Sequence, residues 1–148
     1  MPDVARNRRA TFDYEILETY EAGIQLIGSE VKSVKAGHAN LSGAFVVIRR
    51  TEAWLLGATI PPYQPKNTPP GYDPTRSRKL LLHGAELREL IGKAAARGLT
   101  LIPLRLYTKG PTIKLAFGLA RRKRKYDKRE RIRKNEDKRK IERALKHY

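Results

Sequence analysis

Residues 101 to 119, LIPLRLYTKGPTIKLAFGL, predict two antiparallel strands joined by a turn at residues 109–111. Every second residue in each half is apolar, which is the period of a strand with one face in a core. The expected core residues are Ile102, Leu104, Leu106, Ile113, Leu115, Phe117 and Leu119. The opposite face of the second strand has small or polar residues, Thr112, Lys114, Ala116 and Gly118. Because proline cannot donate a backbone hydrogen bond, Pro103 predicts that the first strand lies at an edge or a barrel rim.

Two more hairpins are expected upstream of this one. Alternation of apolar and polar residues over residues 12–27 predicts the first, with its turn at residues 21–23. The runs 45–48 and 54–60 are rich in β-branched and aromatic residues and predict the second, with its turn at residues 49–52. Short strands separated by turn residues in this way are typical of an antiparallel sheet.

Helices are expected at two places. Residues 29–35 have helical spacing and end before Gly37, and residues 85–97 have apolar side chains at i, i+3, i+4 and i+7 and end before Gly98. Six of the nine prolines lie in residues 61–74, which predicts an extended and mobile loop. Many short strands with two small helices favour an α+β or all-β barrel, an architecture that often binds oligonucleotides.

The charge of the chain favours a polyanionic partner. Lys and Arg number 32 against 15 Asp and Glu, a net charge of +17, so nucleic acid is expected first and an acidic membrane surface second. Residues 121–148 contain 15 basic and 5 acidic residues, against 17 and 10 in residues 1–120. We therefore expect a folded domain over residues 1–120 and a separate basic tail over residues 121–148.

No segment of the chain predicts export, membrane insertion or catalysis. There is no run of 18 apolar residues and no signal-peptide pattern at the start, so a soluble, cytoplasmic protein without a membrane partner is expected. Cysteine is absent and the three histidines are widely spaced, so we expect no metal site and no cofactor. Glu15, Glu18 and Glu21 suggest a two-metal nuclease only weakly, because Glu15 and Glu18 would point to opposite faces of a strand.

Basic residues form three clusters: Arg6, Arg8 and Arg9; Arg76, Arg78 and Lys79; and residues 121–125. One such cluster is usually a solvated surface, but three in one small chain favour a surface that follows phosphates. RNA is favoured over duplex DNA because neither a helix-turn-helix nor a basic-zipper repeat is present. The small residues around Lys114 would let an RNA backbone come close, and an ordinary solvent-facing strand is the alternative.

Five blocks of the sequence together resemble one family. They are NRRATFDYEI (7–16), ETYEAGIQLIGSEVKSVKAGHANL (18–41), RKLLLH (78–83), GLTLIPLRLY (98–107) and GLARRKRKYDKR (118–129). In this order and spacing they look like the bacterial SsrA-binding protein family, small protein B. The resemblance implies a mainly β fold with small helices, in which a six-stranded antiparallel barrel related to the oligonucleotide-binding fold carries a basic C-terminal tail.

The resemblance also implies an adaptor without catalytic activity, which we expect to be monomeric. The family binds the tRNA-like domain of transfer-messenger RNA and brings its alanyl form, with GTP-bound elongation factor Tu, to ribosomes stalled on truncated messages. Translation then resumes on the reading frame of that RNA, and the nascent chain receives a degradation tag. A structural ribosomal protein would also be small, basic and tailed, but it should copurify with vacant and translating ribosomes alike.

The residues that fall where the family grips the tRNA-like domain are Asn7, Glu21, Leu80, Leu81 and Lys114. Asn7 would bond to a base edge or a sugar, and Lys114 would pair with phosphate. Glu21 would accept hydrogen bonds from a base or a 2′-hydroxyl, or would hold a neighbouring arginine. Leu80 and Leu81 would form an apolar platform under unstacked bases, although two leucines before a helix are more often core residues.

In the family, the tail enters the ribosomal decoding centre and the empty message channel and becomes helical there. The matching residues are Arg122, Lys123, Arg124, Tyr126, Asp127, Lys128 and Arg129. Tyr126 is expected to stack on a ribosomal base and the neighbouring cations to meet phosphates. Residues 122–124 read Arg-Lys-Arg where the family usually has Gly-Lys-Lys, which leaves open how the chain leaves the barrel.

The composition of the tail predicts a helix that forms only on a partner. Its few apolar residues cannot repay ordering costs of about 1–2 kcal/mol per residue, so we expect it to be disordered alone and helical on the ribosome. Acid-to-base pairs at i and i+4, each able to add about 0.2–0.5 kcal/mol to a helix, reduce that cost. The four pairs are Asp127 with Arg131, Glu130 with Lys134, Glu136 with Lys140, and Glu142 with Lys146.

Overall fold

The computed structural model describes residues 3–96, 98–123 and 125–146, without the side chains of residues 67, 125–128, 130, 131 and 144–146. Its strands are β1 (Asp3–Arg6), β2 (Tyr14–Ile24), β3 (Phe45–Arg49), β4 (Glu52–Leu56), β5 (Arg78–Leu81), β6 (Leu99–Lys109) and β7 (Thr112–Arg122). Its α-helices are α1 (Ala10–Asp13), α2 (Gly28–Lys35), α3 (Gly84–Ala94) and α4 (Lys125–Lys146). A 3₁₀ turn, Pro65–Asn67, lies between β4 and β5.

Antiparallel pairing joins the strands of the described chain in the order β1-β6-β3-β4-β5-β2-β7. Because β7 also pairs with β6, six of them close into a ring, and β1 lies on the edge of β6 that β3 also uses. The prediction of a mainly β fold with small helices is confirmed. The ring has the expected six strands, and β1 is a seventh that the sequence pattern does not predict.

The β6–β7 hairpin confirms one predicted core face and corrects the other. The predicted face of β7 is at most 6 % exposed at Ile113, Leu115, Phe117 and Leu119. In β6, a bulge between Pro103 and Arg105 shifts the alternation. Leu106 faces the main core, whereas Ile102 and Leu104 pack in a small second cluster beside α1. The expectation that all three share one face is therefore wrong.

Pro103 does not mark an edge strand, because β6 pairs on both sides. One side pairs with β7, and the other pairs with β3 at Leu101 and with β1 from Arg105 onward. Pro103 lies between these two partners, at the bulge, where the ladder is already interrupted. The Pro103 carbonyl accepts a hydrogen bond from Asn7 Nδ2 at 2.9 Å. A proline is tolerated at this position because a bulge needs no regular donor.

The hairpin predicted over residues 12–27 is wrong, because β2 is one continuous strand. Residues 21–23, the expected turn, pair in unbroken register with residues 114–116 of β7. Pairing with a long partner strand outweighs the local turn preference of glycine. Gly23 instead supplies space, since a Cβ atom there would lie 3.3 Å from the Cβ atom of Leu81 on β5.

The other elements agree with the sequence pattern. The β3–β4 hairpin forms as predicted, but β4 ends at Leu56, short of residue 60, because Gly57 adopts a φ of 76°. Helices α2 and α3 confirm the two predicted helices. Gly37 directly follows Ala36, the C-cap of α2, and has a φ of 82°, so it acts as the expected C-terminal stop. Helix α3 ends at Ala94 with Ala95 as its C-cap, short of residue 97, so the stop expected at Gly98 is wrong, although Gly98 has a φ of 81°.

The proline-rich segment before β5 is a loop, as predicted, and its end is anchored to α2. Glu30, which is 1 % exposed, accepts hydrogen bonds from Arg76, Arg78 and Tyr72. Arg78 is fully buried and also donates to two backbone carbonyls at 3.0 Å. The basic cluster expected at residues 76–79 is therefore largely turned inward, and Arg76 and Arg78 neutralise Glu30 rather than forming a phosphate-binding surface.

The tail begins directly where the sheet ends. β7 continues through Arg122, two residues past the domain boundary expected at residue 120. Lys123 then donates its backbone N–H to the Asp13 carbonyl at 2.9 Å. Residues Lys125–Lys146 form the helix α4, the form that the tail is expected to take on the ribosome. Each described side chain from residue 132 to residue 143 is exposed, so this helix has no buried apolar face over that range.

Candidate nucleic-acid interface

Three of the predicted RNA-contacting residues line one groove on the outside of the sheet. Gly23 lies in register between Leu81 of β5 and Lys114 of β7, and Glu21 lies two residues before it on β2. Because Gly23 has no side chain, a gap remains between the leucine and the lysine. The groove has a volume of about 490 Å³ and is lined by Glu21, Gly23, Ile24, Leu81, Leu82, His83, Glu86, Thr112, Ile113 and Lys114.

Glu21 is held at the groove by two side chains of β6. The Tyr107 hydroxyl donates to its Oε2 atom, and Lys109 Nζ lies 3.4 Å from its Oε1 atom. The hydrogen bond from Tyr107, supported by Lys109, lowers the pKa of Glu21, so the carboxylate is charged at neutral pH. Burial and the bond to Glu21 raise the pKa of Tyr107 to about 12. Glu21 is thus a fixed acceptor, and its neighbours are a tyrosine and a lysine instead of the expected arginine.

The two leucines before α3 point in opposite directions. Leu80 is 3 % exposed and belongs to the main core, whereas Leu81 is 53 % exposed and lines the groove. This follows from the alternation of a strand. The prediction of a platform formed by both leucines is corrected, because the side chain of Leu80 does not reach the surface. Leu81 alone offers apolar surface to a ligand.

The outer face of β7 is only partly open. Lys114 is half-buried and lines the groove. Gly118, further along the strand, is buried, and a Cβ atom there would lie 2.8 Å from Ile16 Cγ2. The prediction that small residues leave this whole face open to an RNA backbone is therefore wrong at Gly118, where a neighbouring strand fills the space.

Asn7 lies away from the groove. It follows β1, and its backbone N–H donates to the Leu104 carbonyl at 2.8 Å while Nδ2 donates to Pro103. It lines a separate cleft of about 420 Å³ together with Arg9, Asp13 and residues of β3 and β6. The structure therefore does not bring Asn7 together with Glu21, Leu81 and Lys114.

Two of the predicted basic clusters meet around α1. Arg122 pairs with Tyr14 in the sheet, which puts the end of β7 beside the helix that follows Arg8 and Arg9. Lys123 Nζ donates to the Thr11 carbonyl of α1 at 2.7 Å. The clusters near residue 8 and near residue 122 therefore form one basic region at the root of the tail.

The predicted decoding-centre residues occupy this root and the first turns of α4. Arg122 and Arg129 are exposed, and Lys123 is half-buried against α1. Tyr126, Asp127 and Lys128 lie in α4 by backbone, but their side chains are outside the described set, as is the whole of Arg124. Arg122 stands where the family usually has glycine. It continues β7 in register with Tyr14, so the sheet needs no glycine there.

The carboxylates considered for a nuclease site do not converge. Glu15 lies 3.6 Å from Arg121, Glu18 bonds to Lys93, and Glu21 bonds to Tyr107. Within residues 3–96, 98–123 and 125–146, no group of three or more His, Cys, Asp or Glu side chains is placed to hold a metal ion. In the same part of the chain, no helix is long and apolar enough to span a membrane.

Two residues that shape the groove, Tyr107 and Glu86, could not be predicted from the sequence because they belong to no recognisable motif. Tyr107 pairs in register with Lys114 and holds Glu21 by a hydrogen bond, although Tyr107 and Glu21 lie 86 residues apart in the chain. Glu86 enters the groove from α3. Only the pairing of β6, β7 and β2 brings these groups together, and no local spacing signals it.

A small, strongly basic protein with a closed antiparallel sheet, a charged surface groove and a projecting basic helix belongs by these features to the class of nucleic-acid-binding β proteins. Comparison with known proteins identifies the particular family. The family model described as SmpB protein matches residues 4–147, so the chain belongs to the SmpB family.

Relatives match this chain over nearly its full length. It is 50 % identical to the SsrA-binding protein of Thermosynechococcus vestitus over 143 residues, which cover 97 % of this chain and 94 % of the relative. It is also 50 % identical to that of Trichodesmium erythraeum over 145 residues, which cover 98 % and 93 %. A solved structure described as "tmRNA-SmpB: a journey to the center of the bacterial ribosome" contains a chain of 48 % identity. The match has a TM-score of 0.68 and covers 86 % of this chain and 93 % of the solved one.

Proposed function

We propose that the protein is an RNA-binding adaptor that binds the tRNA-like domain of transfer-messenger RNA and delivers this RNA to stalled ribosomes for trans-translation. The observation that carries the proposal is identity of about 50 % to SsrA-binding proteins over 97–98 % of the chain. A related chain solved under the description tmRNA-SmpB on the bacterial ribosome adds support. The proposal includes no catalytic step, places the protein in the cytoplasm with its ribosomes, and takes it to act as a monomer.

The groove has the chemistry that a folded RNA requires. Lys114 supplies a cation for a phosphate, and the charged Glu21 accepts hydrogen bonds from a 2′-hydroxyl or from an exocyclic amino group of a base. Leu81 offers apolar surface on which an unstacked base can pack. Asn7 makes a second, separate contact beside α1. Leu80 supports Leu81 from the core and is not itself a contact.

The tail acts on the ribosome in this proposal, as a unit distinct from the domain of residues 1–120. Arg122, Lys123, Arg124 and the block Tyr126, Asp127, Lys128 and Arg129 meet the decoding centre. α4 occupies the downstream channel only when no message fills it, because two polyelectrolytes cannot share that space. The tail thereby detects whether the message channel is empty. Elongation factor Tu takes part indirectly, through the aminoacylated RNA.

Removal of residues 126–148 tests this division of labour. We expect the shortened protein to bind the tRNA-like RNA with nearly unchanged, salt-sensitive affinity, because the groove and Asn7 remain. We expect peptide tagging on ribosomes stalled at a message end to be abolished in a reconstituted translation system. Tagging by the shortened protein would refute the role of the tail, and loss of RNA binding would refute the role of the groove.

A further inference from the structure

A row of residues in neighbouring strands extends from the groove to the tip of the β3–β4 hairpin. Lys114 pairs with Gly23, and Gly23 pairs with Leu81. On the next strand Ala53 pairs with Leu80, so Glu52 and Leu81 are the next residues along β4 and β5. Arg49 then pairs with Glu52 across the hairpin. Four steps of about 4.8 Å separate β7 from β3, so the row runs roughly 19 Å along the outer surface of the sheet.

The groove itself has little net positive charge. Glu21 and Glu86 line it, against Lys114, and Lys109 is partly used by Glu21. A polyanion that settles in this groove therefore needs cations from its rim. On the β5 side, the nearest residues along the row beyond Leu81 belong to the β3–β4 hairpin.

The turn of this hairpin has a costly backbone conformation. Arg49 and Glu52 pair, so Arg50 and Thr51 alone form the loop, and their φ values are 51° and 71°. A two-residue loop with positive φ at both positions is a type I′ turn, which strongly prefers Asn-Gly, Asp-Gly or Gly-Gly. A β-branched residue with positive φ is an outlier, and such strain often accompanies function. The residues at this turn are not those that folding stability alone would select.

The two arginines at the tip of the hairpin, Arg49 at the end of β3 and Arg50 in the turn, are free to meet a ligand. Both are exposed, and neither forms a salt bridge with a residue that the structure describes. The nearby carboxylate of Glu52 lies 3.5 Å from Lys79 Nζ instead. Fork-shaped guanidinium groups bind phosphate oxygens through two hydrogen bonds, which lysine cannot match geometrically.

We propose that Arg49 and Arg50 at the β3–β4 turn form a further phosphate-binding site, which extends the groove and holds the backbone of the same tRNA-like RNA. This inference rests on the proposed function. It adds contacts on the β5 side of Leu81, about four strands from Lys114. The RNA would lie across β7, β2, β5 and β4, with its bases toward Leu81 and its phosphates toward the cations at the two ends.

The test measures the affinity of the full chain for a transcript of the tRNA-like domain as a function of salt. The variant Arg49→Gln with Arg50→Gln removes both cations and keeps the turn. We expect it to bind on the order of tenfold more weakly near 0.1 M salt. The slope of log K against log salt should become shallower by about 1.4–1.8, which corresponds to two lost phosphate contacts. The control, Lys32→Gln with Lys35→Gln, removes the same charge from α2, whose residues do not line the groove.

Three further outcomes make the test decisive. Arg49→Lys with Arg50→Lys should keep most of the salt slope but lose part of the affinity, because the charge remains without the fork. If the glutamine pair behaves like the α2 control, the inference is wrong even though the groove binds RNA. If the unaltered protein does not bind the transcript, the proposed function itself fails. Equal melting temperatures of the variants show that the turn is intact.

Discussion

Glu21 and Glu30 both have lowered pKa values, but the two carboxylates have different roles. Burial raises the pKa of Glu30, but hydrogen bonds from Arg76, the Ile27 N–H and Arg78 outweigh it and bring the pKa below its usual value. This group ties the loop before β5 to α2. At Glu21 the bond from Tyr107 lowers the pKa at the surface, where the carboxylate can still accept from a ligand. The buried Glu30 therefore has a structural role, whereas the exposed Glu21 is available to bind a ligand.

Replacing Glu30 by glutamine should destabilise the protein by about 3–5 kcal/mol, because it leaves the fully buried Arg78 without its counter-charge. Urea unfolding at pH 7 measures this loss. The matched control is Glu52→Gln, which breaks an exposed pair with Lys79 and should cost less than about 1 kcal/mol. Equal losses in the two variants would contradict the structural role of Glu30.

The same variant should change how stability depends on pH. A carboxyl whose pKa is lowered by folding contributes stability above its unfolded pKa of about 4.3 and loses it as pH falls through the folded pKa. The unaltered protein should therefore lose stability below about pH 4.3 more steeply than Glu30→Gln. Parallel pH profiles for the two proteins would show that Glu30 is not the group concerned.

At the scale of elements, the strands of the sheet are closely packed, whereas the C-terminal helix is exposed to solvent. β2, β6 and β7 approach each other so closely that Gly118 leaves no room for a side chain beside Ile16 and the Glu18 carbonyl. α4 shows the opposite case, since its described side chains from residue 132 to residue 143 are exposed. Of the four predicted ion pairs in the tail, Glu136 with Lys140 is the one whose two side chains are described, and they form no salt bridge.

Substituting Gly118 by alanine should cost about 1–3 kcal/mol, because the β-branched Ile16 has few rotamers with which to move away. Gly92→Ala is the control, since a Cβ atom at this position in α3 meets nothing within 4 Å. In a helix interior this change should stabilise the protein by up to about 1 kcal/mol. Thermal unfolding of both variants tests the packing, and a neutral Gly118→Ala would contradict it.

The tail should form a helix only weakly by itself, because a helix without packing depends on propensity and side-chain pairs alone. We expect a peptide of residues 121–148 to show little helix by circular dichroism in dilute buffer and substantially more when a polyanionic RNA is added. A peptide with the same composition but scrambled acid-to-base spacing should gain less. A strong helical spectrum without RNA would refute the conditional helix.

At the scale of the whole molecule, the sequence predicts the elements better than their arrangement. The alternation in β7, the periodicity of α3 and the glycine stop at Gly37 are local signals, and they are confirmed. The bulge after Pro103 and the passage of β2 through Gly23 depend on partner strands far away in the chain, so local patterns mislead there. The groove also depends on distant partners, since Glu21 and Lys114 are 93 residues apart in the chain and come together only through the register of the strands.

The most direct test of the central claim is an NMR titration of the full chain with a transcript of the tRNA-like domain. We expect the largest amide shifts to fall on residues 21–24, 81–83 and 112–114, with a second group near Asn7. These shifts should weaken together when Lys114 is replaced by glutamine. Saturating RNA that leaves the groove amides unshifted would contradict the assignment of this groove as the RNA-binding surface.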